Sequence, residues 1–282
     1  AMKTGLILEG GAMRGIYTAG VLDVLMEHAI AADGVIGVSA GAVHGCNYVS
    51  GQRGRSIRYY KKYAQDPRFI SVRSLLRTGN MVDTDFCYRE LPLELDPFDN
   101  EAFMASAIPF YVVCTDVETG RAETVLCDDL LRKIDYLRAS ASMPLVSRTV
   151  RIGSRRYLDG GVADSVPIRA FEEMGYGRNI VVLTRPADYV KFSENTPLFR
   201  LRYAKYPNFR RALARRHIVY NETMGYIDRR AREGAAFVIR PRAALPIGRT
   251  DTDPERIEAV YRIGREDAER RMEALKDWIK NG

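Results

Sequence analysis

Residues Gly37-Val38-Ser39-Ala40-Gly41 set a serine between glycines at positions −2 and +2. The apolar run Gly34-Val35-Ile36 precedes them, and small, helix-compatible residues from Ala40 to Cys46 follow. A chain with this pattern passes from strand to helix through a turn so tight that flanking side chains would meet neighbouring backbone, which is why glycine stands there. The turn carries the Ser39 hydroxyl out of the sheet, the arrangement of a nucleophile elbow. The pattern therefore argues for an α/β fold and for nucleophilic chemistry together.

A second glycine-rich segment, Glu9-Gly10-Gly11-Ala12-Met13-Arg14-Gly15, follows the apolar run Leu6-Ile7-Leu8 and opens a helical pattern through Ile16, Ala19, Leu22, Val24 and Leu25. Glycines let backbone approach a ligand closely, and free N–H groups at a helix start attract anions. Beside a nucleophilic serine such a loop is an oxyanion hole. A dinucleotide loop is the competing reading. It requires an acidic residue at the end of the second strand, but that strand ends in Val38-Ser39 and Asp33 lies before it. The third segment is Tyr157-Leu158-Asp159-Gly160-Gly161-Val162. Alternation through Val150, Ile152, Arg155 and Tyr157 around Gly153-Ser154 predicts a hairpin with Asp159 just past its second strand. An Asp-Gly pair also forms ordinary turns; beside the other two segments, Asp159 reads as a catalytic base.

Together the three segments resemble the patatin-like phospholipase family, which carries a glycine-rich oxyanion loop, a GxSxG serine and an Asp-Gly-Gly or Asp-Gly-Ala turn in this order. Here these are Gly10 to Gly15, Gly37 to Gly41 and Asp159-Gly160-Gly161. The stretch Ala139-Ser140-Ala141-Ser142-Met143-Pro144 is similar to the small-residue loop that the family places before the hairpin. The resemblance covers residues 5 to about 185. It implies a three-layer α/β/α fold with a mostly parallel central sheet. It also implies a Ser39–Asp159 dyad without histidine or metal, and an oxyanion loop of Gly10, Gly11, Ala12, Met13 and Arg14. The expected substrate is a phospholipid or other lipid acyl ester. The chain departs from the family at Ala12, where a third glycine is usual. That departure supports an alternative, a lipid- or anionic-membrane-binding protein with weak or vestigial esterase activity.

Composition narrows the setting. No run of eighteen apolar residues is present, so no transmembrane helix is expected, and the first apolar run is too short for a signal peptide. The four cysteines, Cys46, Cys87, Cys114 and Cys127, have no CxxC spacing and do not group with the three histidines. They read as reduced thiols of a cytoplasmic protein, without a zinc site or other cofactor. The net charge of +7 is localised: residues 191–216 hold eight Lys and Arg against Glu194, and the remaining 35 basic and 35 acidic residues cancel. Phe199, Tyr203, Tyr206 and Phe209 are interleaved with these cations. The segment is expected either to be a solvated helical face or to meet an anionic membrane surface or lipid headgroup. Nucleic acid is disfavoured as a partner.

Strand-like runs are expected at Gly5–Glu9, Gly34–Val38, Phe110–Asp116, Ala122–Cys127, Val150–Leu158, Asn179–Thr184 and Ala236–Arg240, mostly alternating with helical patterns. Residues 64–98 contain three prolines and little clear period, and are read as a lid. From Asp253 a stripe of Ile257, Val260, Tyr261, Gly264, Ala268, Met272, Leu275 and Ile279 predicts a C-terminal docking helix. We expect a catalytic domain over 5–185 and, over 186–282, a basic helical segment, a last strand and the docking helix as part of the same domain, since α/β folds often reach this size undivided. His217 follows Asp159 as a triad histidine would, but only two strands precede Ser39, and Arg215-Arg216-His217 reads as surface. His44 and His28 read as structural. Asp116 reads as a turn cap, and Asp83 and Asp85 as a helix start.

Overall fold

The structure is a computed structural model that describes residues 2–194 and 196–282. Strand β1 (Thr4–Leu8) leads through a 3-10 turn (Ala12–Arg14) into α1 (Gly15–Glu27); β2 (Gly34–Val38) leads through Ser39 into α2 (Ala40–Val49). Helices α3 (Arg55–Tyr63) and α4 (Val72–Thr78), a π-helix (Phe86–Leu95) and α5 (Asn100–Ala105) follow. Next come β3 (Phe110–Asp116), β4 (Ala122–Leu126), α6 (Ile134–Ser140), β5 (Val150–Ile152) and β6 (Arg155–Asp159). After a 3-10 turn (Gly160–Val162) the chain forms α7 (Ile168–Glu173), β7 (Arg178–Val182), α8 (Pro197–Arg202), α9 (Pro207–Arg232), β8 (Ala236–Ile239) and α10 (Pro254–Lys280).

One eight-stranded sheet runs β5-β6-β3-β2-β1-β7-β8, with β4 paired to β3. Strands β3, β2, β1, β7 and β8 are parallel, and β4, β5 and β6 add antiparallel pairs. The central strands are apolar at successive positions because both faces are covered. Leu6, Leu8, Val35 and Val182 join a core with α1, α2, α3 and α10. The alternate residues Ile7, Ile36, Val38 and Val181 pack with Ile168 and Phe171 of α7 and Ile227 of α9. This is the expected three-layer arrangement.

The registers on β3 position the site. Strand β4 lies along Tyr111 to Thr115 on one edge. Strands β2 and β6 therefore share the other edge end to end: Val38 pairs Val113 and Asp159 pairs Cys114. Where β2 stops and turns out at Ser39, β6 takes over the same edge with Asp159.

The predicted C-terminal helix packs on α1 through two glycines that permit direct backbone contact. A Cβ on Gly20 would stand 2.2 Å from the Tyr261 carbonyl oxygen, and one on Gly264 would stand 2.1 Å from that of Tyr17. Reciprocal phenol bonds close the crossing, from Tyr17 to Asp267 (3.0 Å) and from Tyr261 to Asp23 (2.6 Å).

One expectation is corrected, at Asp159. Residues 64–98, which show little period in the sequence, form helices: α4 starts on a Ser71 cap whose hydroxyl accepts the Ser74 N–H at 2.9 Å. The π-helix starts where the Asp83 carboxylate accepts the Phe86 N–H at 3.1 Å. Asp159 is the last residue of β6 rather than a residue beyond it.

Candidate active site

Ser39 has φ 54° and ψ −125°, a backbone state sparsely populated by residues with a Cβ. Packing holds it there. A Cβ on Gly41 would lie 2.4 Å from the Leu8 carbonyl oxygen, and one on Gly37 2.6 Å from the Ala42 Cα. The Ser39 N–H donates to the Ser140 hydroxyl at 2.8 Å, and that hydroxyl donates to the Val113 carbonyl at 2.6 Å. Although Ser39 is the N-cap of α2, its hydroxyl makes no capping bond, so it is not consumed by the helix.

Asp159 is buried, with 6% of its surface exposed. Its carboxylate accepts the Gly161 N–H at 2.8 Å, and its own N–H donates to the Ser142 carbonyl at 2.9 Å. Ser140 and Ser142, two residues apart, thus hold the backbones of Ser39 and Asp159. Burial pushes the Asp159 carboxyl above the usual aspartate range. The Ser39 hydroxyl, Arg216, the Gly161 N–H and Arg249 each act to lower it again. Arg216 also donates to the Gly161 carbonyl at 2.7 Å. Gly160 passes so close to β3 that a Cβ there would sit 2.1 Å from the Val113 oxygen.

Gly10 lies directly beside Ser39, Gly11 against Thr184 and Gly15 against Ala40. Ala12 has φ 49°, in the left-handed region, where an L-residue costs roughly 1–2 kcal/mol. The backbone therefore keeps the conformation that a glycine would adopt freely. Met13 differs from expectation: its N–H is directed to the Arg249 carbonyl at 3.4 Å, and its side chain is buried. The Arg14 N–H returns to the Gly11 carbonyl at 3.1 Å. Among the described residues, the N–H groups of Gly10, Gly11 and Ala12 have no protein acceptor, and these are the loop's available donors.

The profile of the patatin-like phospholipase family matches residues 6–172, the span that carries all three segments. The chain belongs to the patatin-like phospholipase family. A domain of unknown function, DUF6363, matches residues 206–280. An uncharacterized Escherichia coli K12 protein, YjjU, is 28% identical over 191 residues, which is 66% of this chain and 53% of that protein. Lysophospholipase NTE1 of Cryptococcus neoformans is 25% identical across 99% of this chain and 17% of its own length. The chain thus spans about half of the bacterial relative and a smaller part of the fungal one. VipD of Legionella pneumophila shares the fold, with a TM-score of 0.50 at 14% identity, over 97% of this chain and 67% of that one.

In this patatin-like chain two cavities meet at Ser39. One, of about 130 Å³, is largely apolar, with Tyr60, Phe69, Met81, Leu91 and Leu137 in its wall. The other, of about 270 Å³, contains Asp159 and the cations Arg14, Arg185, Lys191, Arg216 and Arg249. Ala12, Ser39, Met143, Val146, Arg249 and Thr250 border both. Met13 faces the apolar cavity and Arg14 the cationic one.

The basic segment divides into two populations. Arg200, Arg202, Lys205, Arg211 and Arg215 are exposed, whereas Lys191 is buried and Arg216 half-buried at the site. Two of its aromatics are not available to a surface: Tyr203 and Phe209 are buried in a small core with Leu158 and Leu213. The exposed apolar residues there are Val190, Phe192, Leu198 and Leu201.

The histidines and remaining acids lie outside this arrangement. His44 is buried and held neutral, its pKa pushed down to about 3 by burial, with Nδ1 2.9 Å from the Ser56 hydroxyl. His217 lines neither cavity, and His28 pairs with Glu269 at 2.9 Å. Asp116 caps the β3–β4 turn by accepting the N–H groups of Glu118 (2.8 Å) and Thr119 (3.1 Å). Reading the sequence did not single out Ser140 as the anchor of Ser39, or Arg249 as a border of the site. Ser140 sits in the small-residue run Ala139–Pro144, which gives no signal of a side-chain anchor, and Arg249 in an aperiodic stretch with no motif.

Proposed function

We propose that this chain is a serine acyl hydrolase of lipid esters, with Ser39 as nucleophile and Asp159 as its base. The supporting observation is the shared edge of β3, which sets Val38 and Asp159 against the consecutive residues Val113 and Cys114 beside the unpaired N–H groups of the glycine-rich loop. A serine hydroxyl needs a base to become nucleophilic. A buried carboxylate with a raised pKa accepts that proton better than an exposed one does. Ser39 attacks the acyl carbon as its proton passes to Asp159. The oxyanion forms against the N–H groups of Gly11 and Ala12, with Arg14 alongside. Asp159 then returns the proton to the leaving alcohol and afterwards takes one from the water that clears the acyl-enzyme. The apolar cavity beside Ser39 suits an acyl chain.

The exposed Phe192, Leu198 and Leu201, among Arg200, Arg202 and Lys205, suit peripheral contact with an anionic bilayer. Val72 and Leu76 on α4, which lies in the chain between the cavity-lining Ile70 and Met81, are exposed as well. No helix among the described residues is long and apolar enough to cross a membrane. The strained Ala12 is the observation that favours the alternative, a lipid binder with weak esterase activity.

A fluorophosphonate probe separates the two readings. The hydrolase reading expects covalent labelling at Ser39, loss of labelling in Ser39→Ala, and loss of hydrolysis of a chromogenic medium-chain ester in both Ser39→Ala and Asp159→Asn. An unlabelled chain that still binds liposomes makes it a binder, and full activity in either variant removes the dyad.

A further inference from the structure

The larger cavity at Ser39 carries more positive charge than its carboxylates neutralise. Of its three acids, Asp159 is the proposed base. Glu9 is occupied by Thr184 and by the Tyr220 hydroxyl at 2.8 Å. Glu194 pairs with Arg249 and with Arg216 at 3.6 Å. Arg14, Arg185 and Lys191 have no ion-pair partner among the described residues. Arg14 keeps a buried Nε without a hydrogen-bond partner. Arg185 stacks on the Tyr189 ring, 4.2 Å from its centroid. Lys191 is 8% exposed. Its backbone N–H and carbonyl are both tied to Asn221 at 2.9 Å, and its Nζ stands 5.3 Å from the Tyr220 centroid.

A buried lysine with a fixed backbone and no counter-ion is costly unless an anion joins it. Burial first, then Arg216, with Glu194 opposing, pushes Lys191 down to about 8. Burial and Arg185 likewise push Arg14 down to about 10. The cavity therefore gathers mutually repelling cations that a bound anion would relieve. It is small for a whole ligand, since typical pockets measure ~300–1,000 Å³, and it opens at Ser39 onto a cavity of opposite character.

Resting on the hydrolase reading above, we propose that this cavity is a headgroup site selecting lipid esters with a net-negative phosphate. Lys191 and Arg185 are the selecting residues, and the acyl chain lies on the apolar side of Ser39. A phosphate oxyanion is the group that a lysine and two arginines bind best. A phosphocholine headgroup brings its own cation into the same space and is disfavoured.

The test is calorimetric binding to the full chain carrying Ser39→Ala, which separates recognition from turnover. Three probes are used below their micelle concentrations: a monoacyl glycerophosphate, the monoacyl glycerophosphocholine of the same chain length, and inorganic phosphate. The glycerophosphate is expected to bind at least about tenfold tighter than the glycerophosphocholine. Lys191→Met, which keeps the side-chain length over Tyr220, and Arg185→Gln, which keeps a planar group over Tyr189, should each bring the ratio close to one. Equal affinities for the two lipids overturn the proposal even if the wild-type chain hydrolyses both. Inorganic phosphate binding as tightly as the lipid makes this a free-phosphate site and overturns the headgroup assignment. Anionic selectivity in a wild-type chain that hydrolyses no lipid leaves the headgroup site and removes the hydrolase reading instead.

Discussion

The Ser140 hydroxyl accepts the Ser39 N–H at 2.8 Å and donates to the Val113 carbonyl at 2.6 Å. One side chain thus ties the strained serine to the strand on which Asp159, the proposed base, is also registered. Ser140→Ala leaves the Ser39 N–H buried without an acceptor, a loss of about 1–3 kcal/mol. Because a small misplacement of a reacting atom costs heavily, kcat on a soluble ester should fall about tenfold or more with KM little changed. Steady-state kinetics alongside thermal melting checks both numbers; unchanged kcat would show that Ser39 is held by packing alone.

In the proposed mechanism Asp159 must be ionised to take the Ser39 proton, and burial raises its pKa. Activity should therefore disappear on acidification at a pH above that of an ordinary aspartate. Arg216 is one of the groups that lower this pKa, so Arg216→Gln should move the acid limb of kcat/KM to still higher pH. A folded-state pKa above the unfolded one means the fold binds the proton more tightly. Its contribution to stability is present below the unfolded value and lost as pH rises through the folded value. Asp159→Asn, whose amide oxygen can still accept the Gly161 N–H, should thus be inactive yet melt at or above the wild-type temperature at neutral pH. A pH-resolved melting series compares the two chains.

Ala12 occupies a backbone state that glycine takes without penalty. Relief of roughly 1–2 kcal/mol of strain is offset by roughly 0.5–1 kcal/mol of extra chain entropy lost by glycine. Ala12→Gly should be stabilised by about 0.5 kcal/mol, with ester turnover equal to or above wild type. Chemical denaturation reads the first and the chromogenic ester the second; a less stable glycine variant would mean that the Ala12 methyl makes a packing contribution larger than the strain.

The crossing of α1 and α10 offers a stability prediction remote from Ser39. Gly264→Val sets branched carbon where only 2.1 Å separates a Cβ from the Tyr17 oxygen. Overpacking of this kind costs about 3 kcal/mol, or roughly 6–12 °C in melting temperature for a chain of this size. A melting temperature within a degree or two of wild type would show that the helices can slide apart freely.

Phe192→Ser with Leu201→Ser removes exposed apolar surface while leaving the exposed arginines in place. Co-sedimentation with vesicles containing anionic lipid should weaken severalfold, and residual binding should fall further with salt. Undiminished binding by the double variant would place the membrane contact elsewhere.

What could be read in advance followed locality. The elbow at Ser39, the Asp-Gly-Gly turn and the stripe on α10 each announce themselves within a few positions, because glycine spacing and helical period are local properties. Lys191 and Arg216 read as surface because charge in a basic run ordinarily is, and only their distant packing against the Asp159 end of the sheet turns them inward. Tyr203 and Phe209 misled for the converse reason: an aromatic among arginines looks exposed until a separate small core claims it. The π-helix over Phe86–Leu95 contains Pro92, and its wider turn matches neither of the periods that a strand or an α-helix would show.

If Ser39 and Asp159 act together as proposed, the end-to-end sharing of one edge of β3 by β2 and β6 makes chemical competence a late event in the life of the polypeptide. Ser39 can acquire its shape from neighbouring residues, but the carboxylate reaches it only when a hairpin made more than a hundred residues later zips on in the correct phase. A slip of one residue would turn Asp159 to the opposite side of the sheet. On that reading, nascent or misregistered chains would be catalytically silent until folding is complete.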